Sequence, residues 1–245
     1  MGALPGRAGF RNLSALRCES SNMSSESGLD LGLSSTLFDA GDCKIVDFRS
    51  DIESAVRGLL EQNLTPISLG GDHSITYPIL RAFHQKFPRL AVLHVDAHPD
   101  LYADFEGNPY SHASPFARVM EEGLIQRLVQ IGIRTINSHQ RDQAKKYGVE
   151  VHEMKDWNDR TRFEFDQPVY FSIDMDGLDP AFAPGVAHPE PGGLSTRQVI
   201  QVIQQTNAKI VGADIVELNP RRDVNGITAM VCAKLLKELA ARILT

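Results

Sequence analysis

Six short apolar segments alternate with amphipathic segments from residue 64 onward, and this alternation restricts the fold more than any other feature of the sequence. The apolar segments predict strands at 65–70, 90–95, 128–133, 149–154, 169–174 and 209–217. Apolar residues spaced three and four apart predict helices within 74–87, 114–128, 195–206 and 228–244. Because neighbouring parallel strands need such crossover segments, the pattern predicts a mainly parallel sheet with helices on both faces.

Length and charge limit the size of the fold and the class of partner. With 245 residues, of which 42% are apolar, the chain can bury a substantial core, and we expect one domain over 1–245. The net charge of −6 and the lack of a dense run of Lys or Arg argue against nucleic acid and anionic membranes as partners. No stretch of the sequence approaches the roughly 18 apolar residues that a bilayer span needs.

The cysteines and the first residues bear on location. Cys18, Cys43 and Cys232 are far apart and form no C-x-x-C pair, which predicts buried thiols and a reducing, cytoplasmic setting. Residues 1–36 predict an irregular N-terminal arm. Within this arm Arg7 and Arg11 precede any acid and the composition is rich in Ser, so organelle targeting is the weaker alternative.

Ligand-type side chains follow several of the predicted strands at their carboxyl ends. In open parallel sheets this edge carries the site. His73 follows the first strand, the motif "DAHPD" follows the second, "DMDGLDP" follows the fifth, and Glu217 ends the sixth. If the strand pleat persisted through Asp96, His98 and Asp100, their side chains would face one way.

These groups predict a metal site. Converging carboxylates repel each other unless a cation lies between them. Two imidazoles with four carboxylates exceed what one tetrahedral zinc uses, and they suit two Mn²⁺ ions sharing a water whose pKa falls from about 15.7 towards about 7. Taken singly, "GGDHS" could be a turn in which Ser74 caps a helix, and "DGLDP" could be a structural turn. Six ligand-type side chains at three strand ends favour the metal.

The motifs "GGDHS", "VDAHPDLY", "EGNPYSHASPFAR", "SIDMDGLDPAFAPG" and "VGADIVELNP", in this order, resemble the ureohydrolase family of arginases and agmatinases. "EGNPYSHAS" and the "NPRRD" to "TAMVCAKLLKEL" region are most similar to plant-type arginases. The resemblance runs from about residue 11 to the C-terminus. It implies a three-layer αβα fold, two Mn²⁺ per chain, hydrolysis of a guanidinium group to urea and an amine, and a homo-oligomer, either a trimer or a hexamer.

The resemblance also assigns residues. It implies six metal ligands, which are His73, Asp96, His98, Asp100, Asp174 and Asp176. Asp100 would also orient the attacking hydroxide. His112 matches the proton-shuttle histidine, and its ordinary pKa near 6.5 suits that role. Glu217 matches the carboxylate that binds the guanidinium fork.

The start of the chain departs from the family pattern. Members usually have another strand before the region matching "FRNLSALRCESSN", and only about ten residues precede it here. We therefore expect the N-terminal part to be shortened and one edge of the sheet to be less covered.

Two alternatives belong to other classes. A zinc deacetylase of the same fold would share Asp96, His98 and Asp174 but would not need the other three ligands. A catalytically inactive member would be expected to have lost a ligand or Glu217, and all are present.

The substrate prediction rests on the loop "YADFEGNPYSHAS" at 102–114. Asn108, Ser111 and Tyr110 are its neutral polar candidates for substrate contacts, Asp104 and Glu106 are its acids, and it contains no Arg or Lys. An acidic mouth favours a dication, so we expect agmatine, hydrolysed to putrescine, before arginine, hydrolysed to ornithine.

Overall fold

The computed structural model describes residues 25–34 and 36–245, and their regular elements form one sheet with helices on both sides. The strands are β1 (Ile67–Leu69), β2 (Ala91–Val95), β3 (Arg127–Ile133), β4 (Glu150–Glu153), β5 (Val169–Asp174) and β6 (Ile210–Val216). The helices are α1 (Phe48–Glu61), α2 (Thr76–Lys86), α3 (Pro115–Glu121), α4 (Ser138–Tyr147), α5 (Thr196–Gln205) and α6 (Ile227–Leu244).

The sheet is parallel throughout, with strand order β1-β6-β5-β2-β3-β4. Its register aligns the strand ends. Leu69 pairs with Ile215, Ile215 with Ile173, and Ile173 with Val95. The residues that follow these four strands therefore leave the sheet side by side at one edge, where a site in a parallel sheet is expected.

Two apolar clusters cover the two faces of the sheet. One joins Leu93 and Phe171 to α5 and α6, and the other joins Val92 and Tyr170 to α1, α2 and α3. The central strands β2, β5 and β6 are buried along their whole length, as expected for parallel strands covered on both sides. The structure therefore has the predicted three-layer αβα architecture.

The predicted strands are confirmed, with ends that differ by at most two residues. The predicted helix at 114–128 is too long, because Gly123 adopts a positive φ of 63° just after α3 and turns the chain towards β3. Helix α4 was not predicted, since it carries few apolar residues. It is defined instead by a capping box between Asn137 and Gln140, and Gly148 follows it in the left-handed conformation.

Several predictions concern the ends of the chain and the thiols. Most of the predicted arm at 1–36, with Cys18, lies outside the described residues. Cys232 is buried as predicted, whereas Cys43 is exposed, because it lies in the irregular segment before α1. β1 and β4 form the two sheet edges. Among the described residues, no helix is both long and apolar enough to cross a membrane. The single domain over 1–245 stays a prediction.

Gly177 provides a test of how closely the ends of β2 and β5 approach. A Cβ at this position would lie 2.8 Å from the Asp96 nitrogen and 3.0 Å from the Val95 carbonyl carbon. We expect Gly177→Ala to lower the free energy of unfolding by about 1–3 kcal/mol, because the backbone must shift. Gly58→Ala is the control. Its Cβ meets nothing within 4 Å in the middle of α1, and we expect a gain of about 0.5–1 kcal/mol in urea denaturation. Equal effects of the two substitutions would contradict the close approach.

Candidate metal centre and active site

The predicted ligands lie in the turns that follow three strands. Asp96 is the first residue after β2, and Asp174 is the last residue of β5. His73 begins a 3₁₀ turn after β1, and Asp176 lies in another after β5. All of these residues are buried.

The side chains after β2 converge through a tight turn and not through a continued pleat. The strand ends at Val95, the His98 N–H donates to Asp96 Oδ1 at 2.6 Å, and Asp100 adopts a positive φ of 52°. The left-handed conformation is costly for a residue other than glycine, and it is typical of functional sites. The expectation of alternating side chains past the strand end is therefore wrong, although the side chains do meet.

One cluster forms around His73. Its Nδ1 lies 3.1 Å from Asp174 Oδ2, and 3.2 Å from Oδ2 of both Asp96 and Asp100. One ring nitrogen carries at most one hydrogen and cannot donate well to three carboxylates. A cation at this position would instead be held by one nitrogen and three oxygens.

A second cluster forms around His98. Its Nδ1 lies 3.4 Å from Asp96 Oδ1 and 3.3 Å from Asp176 Oδ2. Asp96 therefore belongs to both clusters and gives one oxygen to each. The geometry provides two adjacent cation positions that share one carboxylate.

The charges of these groups fit divalent cations. Burial, followed by repulsion from Asp176 and Asp96, raises the pKa of Asp174 well above its usual value. Burial and Asp96 raise the pKa of Asp100 to about 7 and that of Asp176 to about 6. Asp100, Asp174 and Asp176 are thus short of compensating positive charge, which bound cations would supply. Imidazole nitrogen and carboxylate oxygen together suit Mn²⁺ and related ions.

A hydrogen-bond chain behind His73 fixes which ring nitrogen faces the carboxylates. Asp214 is fully buried and accepts the Ser172 hydroxyl at 2.7 Å through Oδ1. Because the Ser172 hydroxyl hydrogen is donated to Asp214, the Ser172 oxygen accepts a hydrogen bond from His73 Nε2 at 2.9 Å. Nε2 therefore carries a hydrogen, which leaves Nδ1 as the ring nitrogen that would present its lone pair to a bound cation.

His94 is a site residue that sequence reasoning missed. It lies in β2, fully buried, with Nε2 2.8 Å from Asp96 Oδ2. Because Gln130 Nε2 donates to its Nδ1 at 3.0 Å, Nε2 carries the hydrogen and donates to Asp96. Its position near His73 and Asp96 is also compatible with a metal ligand, but this donation makes it an orienting group. The available signal was one histidine inside an otherwise apolar strand.

His112 lies at the mouth of the cluster and stacks on a second histidine. The His112 and His188 rings are nearly parallel with centroids 5.7 Å apart, and His188 lies edge-on to His98 at 6.4 Å. Burial lowers the pKa of both His112 and His188, so both rings are mainly neutral at pH 7. His188 was not predicted, because its surroundings "GVAHPEP" read as a loop.

Glu217 lies beside the cluster. It adopts a positive φ of 64°, and its Oε1 accepts the His73 backbone N–H at 3.0 Å. Burial, with repulsion from Asp72 as a further cause, raises its pKa to about 8. Such a carboxylate favours a cationic partner.

Asn108 and Ser111, the predicted substrate contacts, lie further out. Asn108 Oδ1 accepts the Tyr110 N–H at 3.0 Å, and Ser111 Oγ pairs with Ser114 Oγ at 3.1 Å. Both line a cavity of about 130 Å³. Within the described part of the chain, neither forms a hydrogen bond with the six predicted ligands.

Comparison with known proteins places this site in a family. The family model "Arginase family" matches residues 6–241. The chain belongs to the arginase family. It is therefore a hydrolase that acts on guanidino substrates, and its family depends on a binuclear metal centre.

Three relatives illustrate the match. "Arginase 1, mitochondrial" of Arabidopsis thaliana is 48% identical, over 94% of this chain and 73% of the relative. The structure "Arginase from Medicago truncatula" has a TM-score of 0.92 at 46% identity, over 97% of this chain and 81% of that one. The "Guanidinopropionase" of Pseudomonas aeruginosa is 38% identical, over 97% of this chain and 80% of the relative.

Ser172 tests the chain behind His73. We expect Ser172→Ala to weaken metal binding about 10–100-fold, because the other His73 tautomer would turn an N–H towards the cluster. The measurement is metal retained after dialysis, with affinity from isothermal titration calorimetry. Thr206→Val is the control, since it removes another buried hydroxyl, bonded at 2.8 Å to the Val202 carbonyl, away from the site. Equal metal affinity in the Ser172 variant and the parent would exclude this tautomer role.

Proposed function

We propose that this protein is a manganese-dependent arginase that converts arginine to ornithine and urea. Similarity to plant arginases over nearly the whole chain carries this proposal. The paired clusters that share Asp96 support it from the geometry. The zinc deacetylase alternative does not account for the cluster around His73.

The relatives favour arginine over the predicted agmatine, and the structure gives agmatine little support. It relied on Asp104 and Glu106 as acids at the pocket mouth. Asp104 Oδ1 instead accepts the Gly107 N–H at 2.7 Å within its own turn, and Glu106 is exposed. Among the described residues that line the nearby cavity, neither acid appears. Arginine is therefore the better supported substrate, and agmatine is the alternative.

The proposed roles follow from where each side chain lies. His73, Asp96, His98, Asp100, Asp174 and Asp176 would hold two Mn²⁺ ions, which when bound supply a deprotonated water at neutral pH. Glu217, buried and ionised by a cationic partner, would bind the guanidinium with two parallel hydrogen bonds. Asp100, at the edge of the His73 cluster, would orient the nucleophile. The neutral His112 ring would first accept a proton released by the attacking water and then pass it to the leaving amine.

Location and assembly are finer points. The Arabidopsis and Medicago relatives are mitochondrial by name, which supports the organelle alternative over the cytoplasmic prediction for this chain. For assembly, we keep the prediction of a trimer or hexamer. Ile227 and Met230 lie in the first turn of α6 and Val224 lies three residues before the helix, and each is about half exposed. Such an apolar surface favours a subunit contact.

The oligomer has a direct test. We expect light scattering at micromolar concentration to give the mass of a trimer or hexamer, and Met230→Glu to shift it towards the monomer, because a charge would be buried at the contact. Lys237→Gln, on the same helix, is the control, because it also changes the charge of the chain by −1. A parent protein that is only monomeric would refute the proposal.

The reaction is tested by substrate and metal together. We expect kcat/KM for urea release to be at least tenfold higher for arginine than for agmatine, equivalent to about 1.4 kcal/mol in transition-state binding. Elemental analysis of the protein reconstituted with Mn²⁺ should give near two ions per chain.

Asp174→Ala provides the control, since it should abolish urea release while the chain stays folded by circular dichroism. A preference for agmatine would restore the first prediction without changing the reaction class. One zinc ion and no urea release would point to the deacetylase alternative. Two bound ions without urea release from either substrate would indicate an inactive family member.

A further inference from the structure

A cavity of about 130 Å³ lies beside the metal cluster and belongs to a different set of elements. Its wall combines the start of α1, the turn after β1, α2, the loop at 105–111 and α3. Ser74 lines it and directly follows His73, and Ser111 lines it and directly precedes His112. Two lining residues are therefore chain neighbours of His73 and His112, although neither of these residues itself lines the cavity.

Arg49 brings a cation to this wall. Its guanidinium carbon lies 4.0 Å from the centre of the Tyr110 ring, so the aromatic face holds the side chain in place. Among the described residues, no carboxylate forms an ion pair with Arg49, whereas Arg57 on the same helix pairs with Glu53 at 3.9 Å. The N–H donors of Arg49 are thus available to a ligand. We call Arg49 and Tyr110 together the Arg49–Tyr110 subsite.

Arg118 is the second cation of the wall and shapes the loop. Its Nη1 donates to the carbonyls of Ala103 and Pro109 at 2.9 and 3.3 Å, and its Nη2 pairs with Glu121 at 2.7 Å. Its Nε is buried and has no hydrogen-bond partner among the described residues. No described residue that lines the cavity is an acid. The lining therefore suits an anion. Arg49 is the cation of this lining that forms no ion pair with a described carboxylate.

We propose that the Arg49–Tyr110 subsite binds the α-carboxylate of an amino-acid substrate, so that Arg49 decides between arginine and agmatine. This inference rests on the proposed function, because it assumes that the guanidinium end is bound at the metal cluster. Arginine and agmatine differ only in that carboxylate. A guanidinium fork binds it with two parallel hydrogen bonds, and a carboxylate desolvated without a partner is costly. Asn108 adds a neutral donor on the same wall.

The experiment compares Arg49→Gln with the parent enzyme on both substrates. We expect kcat/KM for arginine to fall at least tenfold, because the charged fork is lost, and kcat/KM for agmatine to stay within twofold. Inhibition by the products gives a binding readout that is independent of turnover. Ornithine should inhibit at least tenfold less well in the variant, and putrescine should inhibit equally in both. Arg57→Gln is the matched control and should change neither substrate.

Arg49→Lys separates charge from geometry. It keeps the cation but loses the fork, so we expect it to recover part of the arginine activity lost in Arg49→Gln. Equal losses on arginine and agmatine would show that Arg49 only supports the loop, and no loss on either would show that it does not contact substrate. Both results overturn the inference and leave the proposed function standing. A parent enzyme that does not hydrolyse arginine would overturn the proposed function itself.

Discussion

The repulsion among carboxylates buried at one sheet edge is the interaction on which the rest of the site depends. Four aspartates are buried beside the imidazole rings of His73 and His98, namely Asp96, Asp100, Asp174 and Asp176. Ionised carboxylates in such a volume are unfavourable without cations between them, and the raised pKa values of three of them express this. Holding these carboxylates together therefore lowers the stability of the metal-free fold, and metal binding would restore it.

The parallel sheet makes this arrangement rigid. Its register brings the ends of β1, β6, β5 and β2 level, so ligands far apart in sequence emerge side by side. Buried polar groups behind the ligands then fix the rings and the shared carboxylate. Asp214 acts on His73 through Ser172, and Gln130 acts on Asp96 through His94. These groups lie on β2, β3, β5 and β6, the four strands that are hydrogen-bonded to a neighbour on both sides.

The fold and the ligand set could be predicted from sequence because both depend on local patterns. Apolar runs mark the strands, and a ligand such as Asp96 stands directly after one. The supporting residues could not be found in the same way, because Ser172 and Asp214 look like ordinary strand positions in the sequence. Only the register of the sheet brings Ser172 Oγ within 2.7 Å of Asp214 Oδ1. The relatives favour arginine over the predicted agmatine. The loop at 102–114 does not reveal its surroundings in sequence, because Arg49, a cation on the same cavity wall, lies on another element.

This separation of elements explains how related enzymes can share a reaction and differ in substrate. Under the proposed function, the metal cluster and Glu217 would recognise the guanidinium, which arginine and agmatine have in common. The other end of the substrate would meet loop 105–111 and the start of α1, which the cluster does not constrain. Glu217 at one end and the Arg49–Tyr110 subsite at the other would also match the guanidinium and the carboxylate of arginine. A molecule bound in reverse would place its carboxylate against Glu217 and its guanidinium against Arg49. These two contacts between like charges would disfavour the reversed orientation.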